Sequence, residues 1–283
     1  MKVSVGIVGA RRPRHAASSL AAALIGVFAF ALPAAAQQAR IKISYEEPTN
    51  AQLRPIYERL KQRAVLEELQ TFLSPLRLPR ELTVSTAQCG TMSVRFRPQG
   101  AAIVCYEMVQ AIEELAATHA KDARLRQVVI TGAFIETVLH ETARAMFEIL
   151  EVPIWGREQD AADRLAALIM VQFGEDVARV TIEGTADLFH WSEKKWTGSD
   201  FSEAASPQAQ RFFNYVCIAY AAAPLQFGDL VKKGIMPKSR AQRCAGEYEQ
   251  IRKAFNLRIM PYVDPEALIR LRATSWLTWQ PSR

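Results

Sequence analysis

The sequence predicts an α+β fold: a small sheet packed on one central helix, followed by a mainly helical C-terminal half. Three observations predict it. Stretches that alternate apolar and polar residues are confined to a sheet-rich part, residues 41–106. Beyond it the apolar spacing is helical, first in the motif-bearing helices over 128–173 and then in a helical C-terminal part over 203–283. The most apolar of these helices, 128–150, carries His140 and Glu141 in mid-course, where an unpaired ionised carboxylate is costly. With 49% hydrophobic and 23% charged residues, the chain suits a single globular domain, residues 37–283, behind an N-terminal extension.

That extension, residues 1–36, reads as a secretory signal peptide. Arg11, Arg12 and Arg14 precede an apolar run over 20–32, and Pro33 with Ala34-Ala35-Ala36 supplies a small-residue cleavage site before Gln37. The run is shorter than the ~20 residues of a membrane span. The expected location is secreted or periplasmic, with no stable membrane insertion after cleavage. Of the 35 basic residues, Lys2, Arg11, Arg12 and Arg14 leave with the peptide, so 31 face 29 acids and the formal charge falls from +6 to +2. With no clustered basic patch, nucleic acid is excluded as a partner.

The elements follow in order. Residues 41–45 alternate as a strand, and Pro48 and Asn50 break it. Residues 50–72 read as one helix through Leu53, Ile56, Leu60, Leu66 and Leu69, stopped by Pro75 and Pro79. A second strand spans 81–89, and residues 93–97 and 102–106 pair as a hairpin across Pro98-Gln99-Gly100. A helix over 107–119 leads through a charged link at 121–126 to the central helix. After Pro153 and Gly156 comes a helix over 157–173, then helices over 207–220 and 240–255 and a short one over 268–279. Cys89, Cys105, Cys217 and Cys244 all survive signal cleavage. Export permits disulfides, and four cysteines allow three pairings. The local pairs, Cys89–Cys105 between adjacent strands and Cys217–Cys244 between nearby helices, are expected. No C-x-x-C suggests a cysteine zinc site.

The chemistry concentrates in 137–163. In H-E-x-x-H on a helix, two His at i and i+4 bind zinc and the Glu activates a water. Here His140-Glu141 is followed by Arg144, and an acidic cluster of Glu158, Asp160 and Asp163 comes after the Pro/Gly break. His119, His190, Lys194-Lys195 and Lys232-Lys233 read as packing or solvated residues. No G-x-S-x-G or glycine-rich phosphate loop occurs.

These blocks resemble the exported “putative zinc metallopeptidase” family, a domain of unknown function that looks like a small zincin. The resemblance covers about residues 41–260. It rests on His140-Glu141-Thr142-Ala143-Arg144-Ala145-Met146, on Val152-Pro153, on 156–163 (GREQDAAD), on the paired cysteines and on LSPLRLP at 73–79. It implies a zincin-like sheet on an HExxH-type helix, with His140 as first metal ligand and Glu141 as catalytic base. Arg144 then stands at the second ligand position and Gln159 at the third. Asp163, four residues on, would orient His140, and Asp160 or Glu158 could offer a substitute acid.

Zinc of this class needs three protein ligands plus water. Arginine has no lone pair to give, and it sets a charge where a dication would sit. The expectation is a metallopeptidase homologue without zinc and without zinc-dependent proteolysis, its cleft open to a peptide or protein partner. The alternative is an active peptidase with a non-standard metal site. Arg144, freed from any metal, is expected to bridge to one of the acids of 158–163, with Glu148 as a same-helix option.

Overall fold

The computed structural model describes residues 41–92, 98–193 and 206–273. Its elements are β1 (Ile41–Tyr45), α1 (Arg54–Gln62), α2 (Val65–Leu73), β2 (Leu82–Ala87), β3 (Ala101–Cys105), α3 (Tyr106–His119), α4 (Ala123–Ile149), α5 (Glu158–Met170) and α6 (Glu175–Trp191). They continue with α7 (Gln208–Ala222), the single turns α8 (Pro224–Phe227) and α9 (Asp229–Lys232), α10 (Lys238–Arg258) and α11 (Pro265–Ala273). The architecture is the expected α+β: a three-stranded sheet, then helices. The expected signal peptide, the expected first hairpin strand (93–97), Lys194-Lys195 and the expected end of the last helix lie outside the described residues.

Among the described residues the three strands run parallel, in the order β1-β2-β3. β2 lies in the middle and is buried along most of its length, as parallel strands covered on both faces are. β3 was expected in a hairpin. Its expected hairpin partner lies outside the described residues; among those described β3 pairs with β2 in parallel register, Thr83 opposite Ala101 and Ala87 opposite Cys105. Parallel neighbours need a long crossover, and residues 88–100 supply it. The Cys89–Cys105 disulfide ties that connection back to the end of β3.

The helix expected over 50–72 is two. Ala64 adopts φ 51, a left-handed conformation that ends α1 and restarts the chain as α2. The break lets the two apolar faces serve different cores. Ile56 and Leu60 of α1 pack with Val104, Tyr106, Val109 and Val138. Leu66 and Leu73 of α2 pack under the sheet with Leu82, Val84 and Ala102. The charged link expected at 121–126 is mostly the first turn of α4, capped by Asp122, whose Oδ1 accepts from the Leu125 N–H at 2.7 Å.

α4 joins the two halves. Ala143, Met146, Phe147 and Ile149 face the sheet-side core. Leu139 faces the helical core, with Ile182, Phe189, Tyr215 and Ile218. α6 crosses α4 at backbone contact. A Cβ on Gly132 would lie 2.8 Å from the Gly184 Cα, and one on Gly184 would lie 2.1 Å from the Val128 carbonyl oxygen. Thr185 Oγ1 donates to the Gly132 carbonyl at 3.0 Å across the same crossing. Gly184→Ala gains ~1 kcal/mol of helix propensity but must push two backbones apart. A net loss of about 1–3 kcal/mol is expected. Urea unfolding checks it, and an unchanged midpoint contradicts the contact.

Candidate functional site

The second half of α4 presents Glu136, His140 and Arg144 four residues apart, so they share one face. The chain then reverses at Glu151, which holds φ 50. It returns as α5, whose Gln159 and Asp163, again four apart, face α4. Two cations and their acids meet between these helices.

His140 is nearly enclosed, 7% exposed. Its Nδ1 donates to Asp163 Oδ1 at 2.7 Å. Its Nε2 donates to the Gln159 side-chain oxygen. Both ring nitrogens thus face acceptors, an arrangement only the imidazolium satisfies. Burial opposes that charge, but the hydrogen bond and charge of Asp163, then the charge of Glu136, outweigh it and raise the His140 pKa above its ordinary value.

Behind His140 stands Arg211 of α7. Its guanidinium donates to both oxygens of Asp163, each at 2.7 Å, and to Glu136 Oε1 at 3.0 Å. It also lies 4.2 Å over the Phe189 ring. Tyr215 Oη donates to the same Glu136 oxygen at 3.1 Å. Burial works against ionising Asp163. The Arg211 charge and hydrogen bonds, then the His140 hydrogen bond, win and hold its pKa well below the carboxylate range. Glu136 goes the other way: burial raises its pKa, and Arg211 only partly offsets this.

Arg144 occupies the next turn of α4. Its Nε donates to Glu158 Oε1 at 2.8 Å, and its Nη1 lies 3.3 and 3.1 Å from the two oxygens of Glu141. All three side chains are at least partly shielded, with Glu141 at 15% and Arg144 at 21% side-chain exposure. Asp160 points elsewhere: its Oδ2 accepts from Ser206 Oγ at 2.8 Å. Glu148 accepts from the Gly100 N–H at 3.2 Å.

The structure therefore brings together His140, Gln159 and Asp163 in one contact set and Glu141, Arg144 and Glu158 in another. Two groups of residues among those described place potential ligand atoms within 4.8 Å of one another. Glu136, His140 and Asp163 form one, but both carboxylates are already held by Arg211. Cys89, Cys105 and Glu107 form the other, but the cysteines are joined as a disulfide with Cα atoms 5.5 Å apart. Cys217 and Cys244 are joined too, with Cα atoms 5.1 Å apart, linking α7 to α10. His119 stacks on Trp191 and His190 packs beside Phe212.

Sequence reasoning missed Glu136, Arg211 and Tyr215. Glu136 carried a signal: a carboxylate four residues before His140 on the buried face of an apolar helix needs a partner. Arg211 lies 48 residues from Asp163, outside any motif. The profile of a family described as putative metallopeptidase matches residues 45–258. No curated protein and no solved structure matches the chain.

Proposed function

The chain belongs to the putative metallopeptidase family, and we propose that this protein keeps the peptidase frame without hydrolysing peptides through zinc. One observation carries the reading. The Arg144 guanidinium lies on the carboxylates of both Glu141 and Glu158, so the second ligand position holds a permanent cation. A zinc ion at this motif would polarise a carbonyl and activate water, and the residues present do not fit it. Gln159 offers a neutral oxygen where a third ligand would need charge, and that oxygen is spent on His140 Nε2, the nitrogen a metal would take. Like charges ~4 Å apart oppose each other by about 4 kcal/mol even at an effective dielectric of 20.

The reading also limits Glu141. A general base must be free to accept a proton from water, and here it accepts from Arg144 instead. What remains is a stable frame with an exposed loop beside it, where Trp155 is 97% exposed between α4 and α5. A peptide or protein partner is the proposed ligand of that face, with no nucleic acid among its partners. Export is part of the proposal. It is supported by two disulfides, which persist in oxidising compartments, and by the charged and apolar pattern of residues 11–36. No described helix is long and apolar enough to cross a membrane.

The test is Glu141→Gln in a peptide-hydrolysis assay of the mature protein. A working base contributes ~10²–10⁴-fold. The expected result is no chelator-sensitive hydrolysis in wild type and no change in the variant. Loss of a robust, chelator-sensitive activity would instead establish an active peptidase with a non-standard metal site.

A further inference from the structure

A cavity of about 410 Å³ opens at the start of α4, between α4, α6, α7 and α9. Its volume falls within the roughly 300–1,000 Å³ of small-ligand sites. It is remote from the metallopeptidase motif: Leu125, on its wall, precedes His140 by 15 residues along α4, which at 1.5 Å per residue is roughly 20 Å. Its body is apolar, built by Leu125, Val128, Ile182, Phe212, Val216 and Leu230.

Four charged groups besides Asp187 line it, and two acids among them are spoken for. Asp122 caps α4 through the Leu125 N–H. Glu183 is held by Arg179 Nε at 2.7 Å. Lys121 and Arg124 stand exposed at the mouth. Asp187 is different: half-buried on the cavity side of α6, it makes no hydrogen bond or ion pair with any described residue. A half-buried carboxylate against an apolar wall is partly stripped of water with no protein partner in exchange.

We propose that this cavity binds a small apolar amine, its ammonium group held by Asp187 and its hydrocarbon body lying against Phe212, Val216 and Leu230. An ammonium supplies both the charge and the donors that Asp187 lacks, and the wall buries an aromatic or branched body. Lys121 and Arg124 at the mouth repel a second positive charge, so a monoamine suits the site better than a diamine. Burial, then the neighbouring Glu183 charge, pushes the Asp187 carboxyl up to about 6, partly opposed by His190. α7 and α9 add no charge to this wall. Protonated Asp187 cannot pair with an ammonium, so affinity falls as pH drops below about 6 and levels off above it.

The experiment is isothermal titration of the full mature chain with 2-phenylethylamine, beside its neutral analogue 2-phenylethanol, at pH values above and below 6. One-to-one saturable binding of the amine is expected, weaker at the lower pH, with the alcohol binding much less. Asp187→Asn should weaken the amine roughly 10–100-fold, the scale of a charged hydrogen bond. Asp187 has no hydrogen-bond or ion-pair partner among the described residues to lose, so this variant should melt no lower than wild type at neutral pH, which separates lost binding from lost folding. No saturable amine binding, equal binding of the alcohol, or an Asp187→Asn variant that binds as well as wild type would each overturn the assignment.

Discussion

Arg211→Met is expected to cost about 3–5 kcal/mol of stability, the scale of breaking a buried ion pair from one side. Methionine keeps much of the stem that covers Phe189, so the loss reports the charge rather than the packing. Without the guanidinium, Asp163 keeps its bond from His140 and Glu136 that from Tyr215, with both carboxylates almost fully buried. For a domain of this size the melting temperature should fall by roughly 6–20 °C. The pH dependence follows from Asp163. Its pKa is lowered in the folded state, so its contribution is fully present above its unfolded value and is lost as pH falls toward the folded one. The difference between wild type and Arg211→Met should therefore narrow as the medium turns acidic. A variant within 1 kcal/mol of wild type at neutral pH would mean the network is not what joins α4, α5 and α7.

Arg144→His combined with Gln159→Glu is expected to give a chain that holds one zinc ion per molecule, where the wild type is expected to hold none. Much of the site is already arranged. Asp163 fixes His140 through Nδ1 and leaves Nε2 aimed at residue 159. A glutamate there supplies charge in place of a neutral oxygen. A histidine at 144 stands one turn from His140 on the same face. Its arrival also releases Glu141 and Glu158 from the guanidinium. With zinc at ~100 times its dissociation constant, binding should stabilise the double variant by about 2.7 kcal/mol. Gln159→Glu alone keeps the arginine and should gain nothing. A double variant that folds, yet takes up no zinc, would mean that the frame itself has moved away from a metal site.

What the sequence made legible was local or carried by spacing. His140, Gln159 and Asp163 could be placed because one-turn spacing on two consecutive helices brings them face to face. Arg144 could be tied to the next helix because a lone cation at a ligand position needs an acid, and Glu158 is close in sequence. The cysteine pairs were legible because each joins neighbouring elements. The misses have physical causes. No glycine marks the break at Ala64, and the apolar spacing continues through it. The parallel register of β3 on β2 left no local signal, because it joins residues well separated along the chain. α6 packs through Gly184, Thr181 and Thr185, small residues that weaken the apolar signal while allowing backbone contact. Arg211 is a long-range partner: only the topology that lays α7 over α4 and α5 brings it to Asp163.

The account rests on Arg144 and Gln159 standing where metal ligands would stand. Elemental analysis of the purified mature chain, equilibrated with zinc and then freed of loosely bound ion, tests this most directly. The account predicts zinc no higher than in a buffer control. One zinc per chain, removable by chelator and lost on His140→Ala, would contradict it.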